Sequence, residues 1–215
     1  MRSEQDPFAQ HLAAGRPVRV GILLFPVVEV LDFAGPFEVF SVAARVARHS
    51  LDGAPTTFEV ATVAARKALV TARHGLVVEP AHGFEDAPPF DLFVVPGGIV
   101  TQPMGDDRTL AYIRSASDRA TLTASVCTGA FLLAKIGLLD GKRATTHWED
   151  IADLRAAFPA VSVIDDVPFV DEGDIVTSAG ISAGIGMSLH LVGRILGPDM
   201  ARRTARQMQY DWEPD

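Results

Sequence analysis

The residue types best suited to chemistry gather around the single cysteine of this 215-residue chain, in the run Ser125-Val126-Cys127-Thr128-Gly129. A thiol attacks as its thiolate, so its pKa decides its reactivity. Residues 122–126, Leu-Thr-Ala-Ser-Val, read as a strand, residues 128–135 read as a helix, and Cys127 falls on the turn between them. Small residues two before and two after it, Ser125 and Gly129, are what a tight strand-to-helix elbow requires, because bulkier side chains would clash where the backbone doubles back. Such an elbow lifts Cys127 into a crevice. The free N–H groups and positive dipole end of the following helix then face the sulfur, a setting expected to lower the thiol pKa. The competing role for a lone cysteine is that of a small buried hydrophobe.

Two further runs sit where they could serve that cysteine. Pro96-Gly97-Gly98 follows the strand at 91–95, and its glycines let the backbone approach a ligand. The N–H of Gly98 is expected to pair with that of Thr128 as an oxyanion-type site, the alternative being an ordinary turn. Residues 29–36 read Glu-Val-Leu-Asp-Phe-Ala-Gly-Pro. A thiolate enzyme that adds water needs a proton donor and acceptor within hydrogen-bond reach, and Asp32 is the carboxylate best placed, with Glu29 in reserve. Its neighbours Leu31, Phe33 and Ala34 are apolar, which should raise its pKa; the alternative is a helix cap or dipole partner.

Histidines contribute less. None of the six forms an i, i+4 pair or an H-E-x-x-H run, so no metal and no cofactor is expected. His147 in Thr-Thr-His-Trp lies at an element boundary and reads as a cap or packing group rather than a catalyst, and His190 as a satisfied core residue. Arg202, Arg203 and Arg206 on the last helix read as a solvated face.

The elements that must position these groups alternate. Strands are expected at 19–25, 58–64, 91–95, 122–126 and 175–178, several apolar on both faces as buried parallel strands are. Weaker strand signals lie at 69–71, 76–79, 161–164 and 169–171. Helices are expected at 36–49, with Phe37, Phe40 and Ala44 on one face, and at 109–119, 128–135, 148–158, 181–196 and 200–210. The alternation is that of an α/β fold around a mostly parallel sheet, in which the functional crevice lies beyond the carboxyl ends of the strands. Residues 1–17 are expected to be a flexible leader and 18–215 a single domain.

Composition narrows the function. Nineteen basic against 27 acidic side chains give a net charge of −8, which argues against a nucleic-acid partner and suits a small neutral substrate. One cysteine excludes an intramolecular disulfide and fits a reducing cytoplasm. No stretch offers the roughly 20 apolar residues of a membrane span.

Taken together, Leu31–Pro36, Val95–Gly98, Ser125–Gly129, Gly137–Trp148 and Ala179–Gly184 resemble the DJ-1/PfpI family over about residues 18–212. They are similar both to its isonitrile hydratase branch and to the amino-terminal sensor domain of AraC-type regulators, which Ser178-Ala179-Gly180 resembles at least as much. The resemblance implies a flavodoxin-like three-layer sandwich, Cys127 as nucleophile, Asp32 as its acid partner, an Ile181 N–H facing the sulfur, and a homodimer. The implied reaction is hydration of an isonitrile through a Cys127 thioimidate. The implied alternative is a ligand- or redox-sensing module without turnover. Because the sequence stops at Asp215, with no room for a helix-turn-helix after Trp212, the DNA-binding form is the less expected.

Overall fold

The computed structural model describes residues 7–50 and 56–212. In chain order the strands are β1 (Val18–Leu23), β2 (Phe58–Ala64), β3 (Val70–Thr71), β4 (Val77–Val78), β5 (His82–Gly83), β6 (Leu92–Val95), β7 (Leu122–Val126), β8 (Arg143–Ala144), β9 (Ser162–Val163), β10 (Phe169–Asp171) and β11 (Ile175–Ser178). The helices are α1 (Pro7–Ala13), α2 (Val30–Ser50), α3 (Thr101–Met104), α4 (Asp107–Arg119), α5 (Gly129–Lys135), α6 (Ile151–Ala157), α7 (Ala183–Leu196) and α8 (Pro198–Gln207).

Seven strands form one sheet in the order β10-β11-β7-β6-β1-β2-β5, parallel throughout except for the antiparallel edge pair β10–β11. The central strands β6, β7 and β11 are buried along their whole length. That burial on both faces explains the unbroken apolar run of β6, while β7 and β11 also bury small hydroxyl residues, Thr123, Ser125, Thr177 and Ser178. Helices cover both faces. α2, α7 and α8 pack together on one side, while α3, α4 and α5 contact one another on the other, where α4 and α5 lie against β6 or β7. This is the flavodoxin-like sandwich.

The order of strands places the chemistry. In the registered triplet β6-β7-β11, Val95 lies opposite Ser125 and Val126 opposite Ser178. The three loops that leave the carboxyl ends of these strands therefore emerge side by side, carrying Gly97-Gly98, Cys127-Thr128 and Gly180-Ile181. The loop after β1 brings Glu29 and Asp32 to the same edge.

Several expectations change. Helix α2 begins at Val30, six residues before Pro36, which sits inside it. A proline there removes one N–H early in the helix, at a position where the freed carbonyl belongs to the first turn. The earlier start moves Asp32 into that first turn; Phe37 is exposed, and Phe33, Val39 and Phe40 face the core. The expected flexible leader differs too: residues 7–13 are α1, and Phe8 is buried in the core cluster. Residues 1–6 of that leader and 213–215 of the expected domain lie outside the described residues. The expected helix at 148–158 is split into a single 3-10 turn, Trp148–Asp150, followed by α6. Among the described residues no helix is long and apolar enough to cross a membrane.

Candidate active site

Cys127 stands at the end of β7 with φ +58°, a left-handed backbone that an L-residue adopts rarely and that produces the sharp strand-to-helix turn. Its N–H is shared between the carbonyls of Ser178 and Ala179 (3.2 and 3.3 Å), and its carbonyl accepts from the Thr146 hydroxyl at 2.9 Å. The elbow is thus held from β11 and from the loop before α6 at once. Gly129 is forced by the tightness of the crossing: a Cβ there would lie 2.1 Å from the Val95 carbonyl oxygen. Ser125, two residues before the cysteine, is fully buried.

Asp32 comes to this elbow from α2. It is fully buried, and one carboxylate oxygen accepts from the Gly97 N–H at 3.1 Å. The other, Oδ1, has no partner at full hydrogen-bond geometry, and the nearest groups that act on the carboxyl are the Cys127 thiol and the Ile181 N–H. Gly97 fits between Asp32 and Thr128 only because it lacks a side chain; a Cβ would sit 2.6 Å from the Thr128 nitrogen and 2.9 Å from the Asp32 Oδ2.

The electrostatics follow from burial without a cation. Desolvation raises the Asp32 pKa from 3.8 to about 7, against the opposing pull of the Gly97 N–H, and the Glu29 charge pushes the same way. Asp32 lies in the first turn of α2, where the helix dipole favours the charged form, yet burial prevails. For Cys127, burial first and the Asp32 charge second push the thiol up to about 12. The expected lowering by the following helix is overturned. The Thr128 N–H does act in that direction, but α5 has only seven residues and desolvation outweighs it.

The expected oxyanion pair is also corrected. The Gly98 N–H donates to the Thr128 hydroxyl at 2.9 Å, and that hydroxyl donates back to the Gly98 carbonyl at 2.9 Å. Gly98 therefore locks the loop to the elbow, and Thr128 alone directs a backbone N–H at the sulfur. Ile181 has φ +56° and is 41% exposed, and its N–H acts on the Asp32 carboxyl.

Glu29 is diverted. It pairs with Arg73 at 3.0 Å, an arginine 44 positions away on the β3–β4 hairpin that nothing in the local sequence marks. The His147 Nδ1 faces Asp150 at 3.4 Å, and its ring lies against the Gly180 backbone. No hydrogen bond joins His147 to Cys127 among the described residues. Backbone strain is the signal that sequence reasoning missed. Val27, Cys127 and Ile181 all have positive φ, and Val27 is tied to the glycine loop by the Ile99 N–H donating to its carbonyl. Non-glycine residues in this region cost about 1–3 kcal/mol each and collect where function demands them. Among the described residues no group of three or more His, Cys, Asp or Glu could hold a metal ion.

The DJ-1/PfpI family pattern matches residues 18–194. The chain belongs to the DJ-1/PfpI family. An isonitrile hydratase from Pseudomonas putida is 39% identical over 196 residues, which cover 90% of this chain and 78% of that protein. The transcriptional regulator GbdR of Pseudomonas aeruginosa is 28% identical over 195 residues, 91% of this chain but only 51% of the regulator. The chain thus spans about half the length of that relative. Among solved structures, a ThiJ/PfpI family protein from Pseudomonas syringae superposes with a TM-score of 0.80 at 25% identity, covering all of this chain and 84% of that one. For this DJ-1/PfpI chain, the shared family and the sandwich fold agree with the residues that carried the resemblance.

Proposed function

We propose that the protein is a cysteine-dependent hydratase that converts an isonitrile to an N-substituted formamide. The observation that carries this is the contact of the Cys127 thiol with a fully buried, cation-free Asp32 whose pKa is raised to about 7. Support comes from the 39% identity to an isonitrile hydratase.

Such a pair holds its protons jointly, and the singly protonated form is the working one. In that form the proton rests on sulfur and the charge on Asp32; Asp32 takes the thiol proton as the sulfur attacks the terminal carbon of the isonitrile and passes it to that carbon, leaving a thioimidate. Water then adds to the carbon, with Asp32 as base, and one of its protons ends on the nitrogen. Collapse forms the carbonyl, breaks the C–S bond and returns the remaining water proton to Asp32. That proton passes on to sulfur, and the singly protonated pair is restored. The Thr128 N–H steadies the sulfur as it gains charge.

Incubation with cyclohexyl isocyanide and detection of the formamide tests the assignment; absence of turnover by the wild type, or full turnover by Cys127→Ala, refutes it. A second reading, a sensing module that binds without turning over, has the similarity to GbdR in its favour. Binding of isonitriles with no formamide would select it. Under either, a homodimer in the cytoplasm is the assembly we propose, and light scattering tests the dimer.

A further inference from the structure

A groove of about 750 Å³ runs from the elbow to α6. It shares Gly98 and Thr128 with the site, and Thr128 is the residue whose N–H acts on the Cys127 sulfur. Beyond them one side is apolar, built by Ile99, Met104 and Phe131, and the other carries Asp150 and Asp153. We infer that this groove receives the substituent of the substrate and selects one with an apolar body ending in a positively charged ammonium group. The inference rests on the proposed hydratase for its reactive end, and on the groove alone for the substituent.

The argument starts from shape. An isonitrile is linear, so a substituent whose terminal carbon lies at the sulfur projects straight away from it, and the groove lined by Thr128, the residue next to Cys127, adjoins that position. Its apolar side suits a hydrocarbon chain or ring, with Phe131 presenting an aromatic surface.

Charge supplies the rest. Asp153 is exposed and makes no hydrogen bond or ion pair among the described residues. Asp150 has only the His147 ring nitrogen opposite, at 3.4 Å. Residues 145–168 hold five carboxylates, Glu149, Asp150, Asp153, Asp165 and Asp166, against the single cation Arg155, whose guanidinium donates to the Val163 carbonyl. Burial, and after it the charges of Asp153 and Glu149 against the His147 contact, leave the Asp150 pKa raised. An ammonium group at this wall relieves that excess. This departs from the small neutral substrate that net charge alone favoured.

The test compares kcat/KM for a linear alkyl isonitrile with that for the same chain ending in an ammonium group, using the whole protein and its Asp153→Asn variant. Because partly exposed ion pairs are weak, the expected preference for the ammonium substrate is about fivefold at low salt, shrinking toward unity in Asp153→Asn and in high salt. Equal or poorer use of the ammonium substrate, or a preference untouched by Asp153→Asn, overturns the inference. A second readout is independent of turnover: protection of Cys127 from alkylation by an alkylammonium ion compared with the alcohol of equal length. If neither isonitrile is hydrated, the hydratase reading fails and protection decides the groove. Stronger protection by the ammonium ion, lost in Asp153→Asn, upholds the cation site, and equal protection removes it.

Discussion

Two aspartates, Asp32 in the first turn of α2 and Asp171 on the edge strand β10, are held by this fold in opposite ways. Asp171 faces a histidine and an arginine: His190 Nε2 lies 2.7 Å from one oxygen, and Arg194 contacts both oxygens at 2.9–3.0 Å, with Phe169 packed on the His190 ring. Burial opposes its charge, but the His190 hydrogen bond and the other partners win, and its pKa is lowered. Asp32 meets a backbone N–H and a thiol, and no cation, and burial drives its pKa to about 7. One carboxylate is fully answered and braces an edge strand to α7. The other is left unanswered beside a nucleophile, which is how a fold keeps a proton mobile near neutral pH.

The contrast is broken most severely at the nucleophile. Cys127→Ala should abolish formamide formation, a loss of at least about 10³-fold in kcat, while circular dichroism remains that of the wild type. Asp32→Asn should lower kcat/KM by about 10²- to 10⁴-fold, since it removes both the acid and the base of the cycle. Asp171→Asn should leave kcat/KM within a few-fold of wild type; a loss as large as that of Asp32→Asn would erase the distinction between brace and catalyst.

Stability sharpens the comparison with opposite signs. Because the folded pKa of Asp32 is raised, the unfolded chain ionises first, and stability falls as pH climbs from about 4 to about 7 and stays lower above that. Thermal melts should therefore show Asp32→Asn gaining on the wild type, by up to on the order of 4 kcal/mol at pH 8, with the gain vanishing below about pH 4. Asp171 works the other way. Its lowered pKa contributes stability that is present above the ordinary carboxylate range and lost as pH falls through the folded value. Urea titration at pH 7 should find Asp171→Asn less stable by about 1–3 kcal/mol, a deficit that shrinks in acid. The smallest effect belongs to Glu29→Gln, which removes a charge that raises the Asp32 pKa. It should move the acid limb of the pH–rate profile down by a fraction of a unit.

How much of this was legible depended on how local the cause was. Strands β2, β7 and β11 were read with their observed bounds because their apolar runs are self-contained. The raised pKa of Asp32 was foreshadowed by the apolar residues beside it. The start of α2 was misplaced because Pro36 was given a first-turn position, whereas the helix accommodates it one and a half turns in. The direction of the thiol shift is not legible locally, because helix N–H groups follow from adjacent residues while burial in the assembled fold does not. The Arg73–Glu29 pair depends on a hairpin 44 positions away, and the positive φ of Val27 and Ile181 runs against the preference of β-branched residues. Both are properties of the assembled edge rather than of any local run.

The central claim is that Asp32 and Cys127 act as one proton-sharing pair. The most direct test is the rate of Cys127 alkylation as a function of pH in wild type and Asp32→Asn. A proton-sharing pair predicts a wild-type rate that rises to an inflection near pH 7 and flattens above it, where the Asp32 charge holds the proton on sulfur, and in Asp32→Asn the loss of that inflection, with a rate that keeps rising and exceeds the wild type above pH 7. Superimposable profiles for the two proteins would contradict it.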